Sequence, residues 1–348
     1  MNQWMKSTLL IGACSLLTFL TACSSNENAS NSNEKIKLSL DDSKVYVGFS
    51  LDTLAEDRWY KDKEMFESTI EEMGGEVKTL AANGVDSVQI KQAELLIEEG
   101  VDVLVVVPHN ADVSSEIVEM AHKANVKVIS YDRLITNADV DYYISYDNKK
   151  AGMLQAEALL KEVNEGNFAY IGGAESDNNA VLLREGAMEV LQPYIDKGKI
   201  KIVYDKYTDE WKPKIAEENM REAIKATGKK INAVIAANDG TAGGVIHALK
   251  ENKISVPVTG QDAEVDAIKR IKTGTQTMTV YKPINDIAKQ AAEMAMQVGN
   301  HKDIETKHTV NNGKIDVPSV LLDPITVTAK NIDKTVMKDG FITKEDLQ

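Results

Sequence analysis

The chain has 348 residues and is acidic, with 54 Asp and Glu against 40 Lys and Arg and a formal net charge of −14. Such a surface repels phosphate backbones, and no dense run of Lys or Arg offsets it, so nucleic acid is excluded as a partner. The length suggests two domains with ample cores.

The first segment sets the compartment. Lys6 precedes an apolar core, Leu9 to Leu20, too short to span a bilayer comfortably, so residues 1–22 read as a secretory signal. Its ending, Leu20-Thr21-Ala22-Cys23, looks like a bacterial lipobox, in which the Cys23 thiol accepts a diacylglycerol thioether and becomes the first residue after cleavage. The protein is therefore expected outside the cytoplasm, anchored to the cell membrane as a lipoprotein. "SSNENASNSNEK" then shows no apolar periodicity, and residues 23–43 read as the lipidated Cys with a flexible linker. Cys14 leaves with the signal and Cys23 carries lipid, so no thiol remains for a disulfide, a redox motif or a thiolate metal site.

From Lys44 onward short apolar runs alternate with stretches of helical period. The runs are "KVYVGFSL", "VDVLVVVP", "VKVISY", "YYISY", "NFAYIGG", "IKIVYD", "INAVIAAN", "VPVTGQ" and "TQTMTVY". The first two helical stretches, "YKDKEMFESTIEEMGG" and "DSVQIKQAELLIEEG", close on Gly74 and Gly100, which suit the left-handed position after a helix end. Further helices are predicted over 113–124, 149–163, 179–194, 214–227, 241–250, 264–273 and 284–298. Strand alternating with helix argues for parallel sheets covered on both faces, and this many strands argue for two sheets.

In open parallel sheets ligands bind beyond the carboxyl ends of the strands. Those ends carry polar groups throughout: Asp52, then Arg58-Trp59, His109-Asn110, Asp132-Arg133, Asp147-Asn148, Asp177-Asn178-Asn179, Asn238-Asp239, Gln261-Asp262 and Lys282. Any one of these is an ordinary loop or helix cap, and Asn179 and Asp239 suit capping; their repetition points to one cleft. Two of the three tryptophans, Trp59 and Trp211, stand among charged neighbours just after strand-like runs. A sugar matches this combination. Its hydroxyls both donate and accept, satisfying carboxylates, amides and cations, and its two C–H faces lie flat on aromatic rings.

The stretches "DRWYKD", "GVDVLVVVPHN", "VKVISYDRLI", "DYYISYDN", "DNNAVLLREGAM", "AANDGTAGG", "GQDAE" and "GTQTMTVYKPI" occur in one order along the chain. Across nearly all of the mature protein the sequence is similar to the D-xylose-binding proteins of bacterial sugar ABC transporters, within the ribose-binding-like branch of the type I periplasmic binding proteins. The resemblance implies an α/β fold of two doubly wound parallel-sheet lobes joined by a three-crossover hinge. The first lobe would comprise residues 44–147 and 283–308, and the second 148–282 and 309–348. It implies that the sugar stacks between Trp59 and Trp211. Its polar ligands would be Arg58, Asp132 and Arg133 from the first lobe, with Asn110 a further candidate beside His109. From the second lobe they would be Asn178, Arg184, Asn238, Asp262 and Lys282. The implied partners are D-xylose or a related monosaccharide and an ABC permease, with a membrane histidine kinase as the alternative recipient of the signal.

Other classes fit poorly. The mature chain has no G-x-S-x-G, H-E-x-x-H, P-loop or G-x-G-x-x-G, and its five histidines are scattered, so no enzyme is expected. A glycosidase would need a carboxyl kept protonated, whereas Arg133 and Lys282 would hold Asp132 and Asp262 ionised. A repressor would need a helix-turn-helix and no export signal. The D-x-D-x-D-G calcium pattern is absent, and neither metal nor cofactor is expected. Lipidation has its own test: Cys23→Ser should leave a chain that is exported but released from the membrane, because a diacylated cysteine anchors firmly and no other segment is apolar enough to replace it. Retention of the Ser variant in salt-washed membranes would contradict the lipobox.

Overall fold

The structure is a computed structural model that describes residues 37–39 and 41–348; the signal segment, Cys23 and most of the linker lie outside the described residues. In chain order the first elements are β1 (Tyr46–Leu51), α1 (Asp57–Glu72), β2 (Glu76–Ala81), α2 (Asp86–Glu98), β3 (Val103–Val106), α3 (Ser115–Lys123), β4 (Lys127–Tyr131) and β5 (Tyr142–Tyr146). Then follow α4 (Asn148–Glu162), β6 (Gly166–Ile171), α5 (Asn178–Asp196), β7 (Ile200–Lys206), α6 (Pro213–Thr227), β8 (Ala233–Ala236), α7 (Asp239–Glu251), α8 (Val265–Lys272) and β9 (Thr279–Tyr281). The chain closes with α9 (Ile284–Gly299), β10 (His308–Asn311), β11 (Asp316–Leu322) and β12 (Ile325–Val327). Gly74 and Gly100 do take positive φ, 82° and 81°, immediately after the C-caps of α1 and α2.

One sheet has the order β10-β11-β5-β4-β3-β1-β2, parallel except where β10 runs antiparallel to β11. A second has the parallel order β7-β6-β8, and β9 pairs antiparallel with β12 beside it. The run "VPVTGQ" forms only isolated bridges, Val234 to Val258 and Gln261 to Val280, that stitch β8 towards β9. Pro257 within it has no N–H to donate, which prevents a regular ladder there. The chain passes between sheets after β5, after β9 and after β11. The third passage differs from expectation. Residues 309–322, expected with the second lobe, form β10 and β11 on the first sheet, where Leu322 lies opposite Tyr146. Only Asp323 and Pro324 then separate β11 from β12, whose Ile325 lies opposite Tyr281.

Each sheet is buried by its own helices. The near-continuous apolar strands Val103–Val106 and Val47–Leu51 are the signature of a sheet covered on both faces. One face of the first sheet is covered by α1 and by α9, which returns from the second sheet and contributes Ile287, Ala291, Ala295 and Val298 to the same core as Phe49, Phe66 and Tyr131. The second sheet is sandwiched by α4 and α5 on one side and by α6 and α7 on the other. The helix crossings there are very close: a Cβ on Gly152 would lie 1.9 Å from Leu183 O, and one on Gly186 1.9 Å from Lys149 O. This contact sets the height of α5, whose first turn lies at the carboxyl end of β6. Gly186→Ala should therefore push α5 away and cost about 1–3 kcal/mol by overpacking. The measurement is the midpoint of denaturant unfolding, and an unchanged midpoint would show that the two helices have room to part.

Candidate functional site

The carboxyl ends of both sheets face one cleft. At its floor a hollow of about 20 Å³, room for one water, is bordered by Arg58, Trp59, Asp132 and Arg133 from the first-sheet side. Asp177, Asn179, Trp211, Asn238, Gln261, Asp262 and Lys282 border it from the other side or from its crossover. Outside it a larger cavity of about 530 Å³ shares Arg133, Asp177, Trp211 and Asn238 with the hollow and adds Asp52, His109, Glu210 and Glu264.

Asp132 is central. It follows β4 with φ 57°, a strained conformation for a non-glycine residue, and is 2% exposed. Its carboxylate accepts from Arg58 Nη2 at 2.9 Å and from Asn179 Nδ2 at 3.0 Å, and Lys282 Nζ stands at 3.8 Å. Burial opposes its charge, but Arg58 and Lys282 outweigh burial and hold the carboxyl down at about 2. Asp262, also at positive φ (93°), faces Arg58 Nη1 at 3.4 Å and Lys282 Nζ at 3.6 Å. Arg133 runs between the two sides: Nη1 donates to Asp52 Oδ2 at 2.5 Å and Nε to Asp177 Oδ2 at 2.8 Å. His109 Nδ1 lies 2.8 Å from the other Asp52 oxygen, and that bond raises the His109 pKa. Burial of Asp52 is overcome by His109 and Arg133, which keep its carboxyl below the usual range.

Trp59 is 2% exposed, with the Arg58 guanidinium 4.3 Å and the Arg133 guanidinium 5.3 Å from its ring centroid. Trp211, on the second-sheet side, is partly exposed and borders both cavities. At the outer cavity burial, reinforced by Asp239 and Asp262, pushes the Glu264 carboxyl up to about 8. The floor offers ionised acceptors, cationic donors, an amide cap at Asn238 and two indoles, a set suited to a small polyhydroxy ligand.

Eight of the expected residues meet here: Arg58, Trp59, Asp132, Arg133, Trp211, Asn238, Asp262 and Lys282. Three do not. Arg184 makes a two-pronged pair with Asp205, its side chain about a third exposed. The amide oxygen of Asn110 is taken by the backbone N–H groups of Asp112 and Val113. Asn178 starts α5 and borders neither cavity; its neighbour Asn179 points in. The cap of that helix is Asp177, which accepts from Asn179 N at 2.9 Å. Asp177 and Gln261 were visible in sequence only as strand-end residues. Gln261 carries a buried amide oxygen without a hydrogen-bond partner at the hollow, a group that merits a ligand. Away from the cleft Glu217, His247 and Glu251 bring ligand atoms within 4.8 Å of one another, but Arg221 pairs with both carboxylates and supplies the positive charge there.

Residues 47–303 match the model of a family described as a periplasmic binding protein domain. The chain is 48% identical to a D-xylose-binding periplasmic protein of Haemophilus influenzae over 303 residues, covering 86% of this chain and 91% of that protein. It is likewise 48% identical to a D-xylose-binding periplasmic protein of Escherichia coli over 305 residues, covering 87% and 92%. Among solved structures it resembles a carbohydrate transporter solute binding protein of Chloroflexus aurantiacus in complex with D-glucose, with a TM-score of 0.81, 32% identity and coverage of 86% of this chain and 97% of that one.

The charge lattice makes a pH prediction. Asp132 has a folded pKa of about 2 against an ordinary 3.8, so its stabilising contribution is present above that ordinary value and is lost as pH falls through about 2. Lys282→Met removes one of the three cations that depress it, Arg58, Lys282 and Arg133, raises the folded pKa and should move acid unfolding to higher pH. Circular dichroism against pH checks this; an unmoved acid midpoint would mean that the Arg58 and Arg133 guanidiniums suffice.

Proposed function

The chain belongs to the periplasmic binding protein family, and from that premise we propose that it is an extracytoplasmic receptor for D-xylose or a closely related aldopentose. It encloses the sugar between two lobes and delivers it to an ABC permease, held at the membrane by the lipid on Cys23. It binds without catalysing: the Asp132 carboxylate, buried beside Arg58 and Lys282, is kept ionised and serves as an acceptor. The observation that carries this reading is the convergence of Arg58, Trp59, Asp132 and Arg133 from one side with Trp211, Asn238, Asp262 and Lys282 from the other on a single hollow.

In the bound state the hydroxyls take over part of the Arg58–Asp262 pairing. The sugar touches both sides only when they are together, so binding favours closure through differential contacts. Trp59 and Trp211 supply apolar faces above and below the ring. The closed shape is what the membrane partner reads. Recovery of a permease with the protein from native membranes supports delivery, whereas recovery of a histidine kinase and no permease would replace transport by sensing.

Two measurements test the sugar site. Asp262→Ala should fold but bind D-xylose about ten- to a hundred-fold more weakly in calorimetry, from the loss of charged hydrogen bonds worth about 1.5–3 kcal/mol; unchanged affinity would remove Asp262 from the site. Intrinsic fluorescence should respond to D-xylose saturably, since Trp59 and Trp211, the tryptophans among the described residues, both border the hollow. Trp59→Ala and Trp211→Ala should each weaken binding by about 1–3 kcal/mol if loss of ring stacking on a sugar resembles that on a base. Parental affinity in both variants would discard the stacked arrangement.

A further inference from the structure

Trp211 occupies a place its own backbone does not favour. Trp211 and the preceding Glu210 both have left-handed φ, 54° and 51°, which costs free energy in side-chain-bearing residues. The ring rests on Gly173, where an added Cβ would come within 2.1–2.4 Å of three ring carbons. Glycine leaves that space open, but it gives the ring no direction.

Direction comes from one carboxylate. Asp177 Oδ2 accepts from Trp211 Nε1 at 3.1 Å and from Arg133 Nε at 2.8 Å. Its other oxygen, Oδ1, accepts from Asn179 N at 2.9 Å and caps α5. Asp177 is 3% exposed, so both oxygens are committed to protein donors. Arg133 belongs to the first-sheet side, whereas Trp211, Asn179 and Asp177 itself belong to the second. A backbone bond crosses at the same place, from Ala111 N to Ser176 O at 2.9 Å.

We propose that Asp177 is a positioning residue that ties the orientation of the Trp211 ring to closure: Arg133 docks on the same carboxylate oxygen that holds the indole, so the aromatic face is fixed only when the two sides meet. Parting the sides removes Arg133 from Asp177 and leaves the indole on a carboxylate open to water. The sugar-facing ring is then loosely held until closure, and closure and stacking reinforce each other. This deepens the pentose-binding reading and rests on it for the identity of the ligand, but the orienting role has a readout that needs no sugar.

The experiment follows the indole N–H resonances of the ¹⁵N-labelled protein, with the Trp211 signal assigned by Trp211→Phe. Asp177→Ser keeps an acceptor able to cap α5 but is too short to reach the indole. In sugar-free protein it should shift the Trp211 resonance and speed its exchange with solvent while leaving the helical spectrum unchanged. At saturating D-xylose, where the sides are together, Arg133→Gln should move the same resonance, although Arg133 bonds Asp177 and not the indole. D-xylose affinity of Asp177→Ser should fall about ten- to a hundred-fold. Asp177→Asn preserves shape and should move the resonance in the same direction, which keeps the test open should the Ser variant fold poorly. An unmoved Trp211 resonance in the Asp177 variants overturns the positioning role, and one that ignores Arg133→Gln overturns its tie to closure. A moved resonance with parental D-xylose affinity also overturns it. Parental protein that fails to bind any pentose overturns the ligand assignment instead, and the indole signal judges Asp177 separately.

Discussion

A carboxylate withdrawn from water stays charged only if cations and hydrogen-bond donors replace its hydration, and Asp132 finds those partners on both sides of a cleft. Arg58 reaches it from the start of α1, Asn179 from α5, and Lys282 from the crossover after β9. None of these is near Asp132 in sequence, so the charge is stable only when both sheets are built and their carboxyl ends face each other. The paired charges also define what can enter. A ligand that displaces Asp262 from Arg58 must itself accept and donate without bringing a net charge that would unbalance the set. Sugar hydroxyls meet that requirement, and the indoles take the apolar faces that hydroxyls leave bare.

Strain accompanies the same positions. Asp132, Trp211 and Asp262 all have positive φ, and all border the hollow. Each side chain is aimed by a backbone conformation that other residues must hold in place: Tyr143 and Ser145 donate to Asp132 O, and Asp262 N bonds Val280 O. The stability of the surrounding sheets is thus spent on pre-organising a few side chains, as expected of a binding site rather than of a core.

Much of this was legible in sequence because it is local. The alternation of strand and helix, the glycine stops of α1 and α2 and the row of polar strand ends all follow from short-range chemistry. What was not legible depended on distant partners. β2 carries Glu76 and Lys78 and lacks the apolar run of a central strand, being, among the described residues, an edge strand paired only to β1. β10 and β11 joined the first sheet because β11 pairs with β5, a choice that their own residues, including Pro318, do not announce. The site shows the same division. Arg184 lies five residues beyond Asn179 on α5, which places it roughly 140° around the helix from the residue that faces the cleft. Asn110 spends its amide on its own loop, a local competition that sequence position alone does not reveal.

The three passages between sheets lie side by side. Leu322 pairs with Tyr146, Ile325 with Tyr281, Asp147 N bonds Leu322 O, and the Tyr146 hydroxyl donates to Pro283 O at 2.8 Å. Asp323 and Pro324 form a link that spans at most about 7 Å when fully extended, and proline fixes one of its torsions. Such a seam forbids the two sheets from drifting apart and leaves rotation about a narrow fulcrum. A small twist there is magnified along the lever arm to the rim, where His109 and Glu210 stand. The gate speed of the cleft is therefore written into Pro283 and the Asp323–Pro324 link, which border neither cavity, and entry and exit rates can change there with every contact in the cleft left intact.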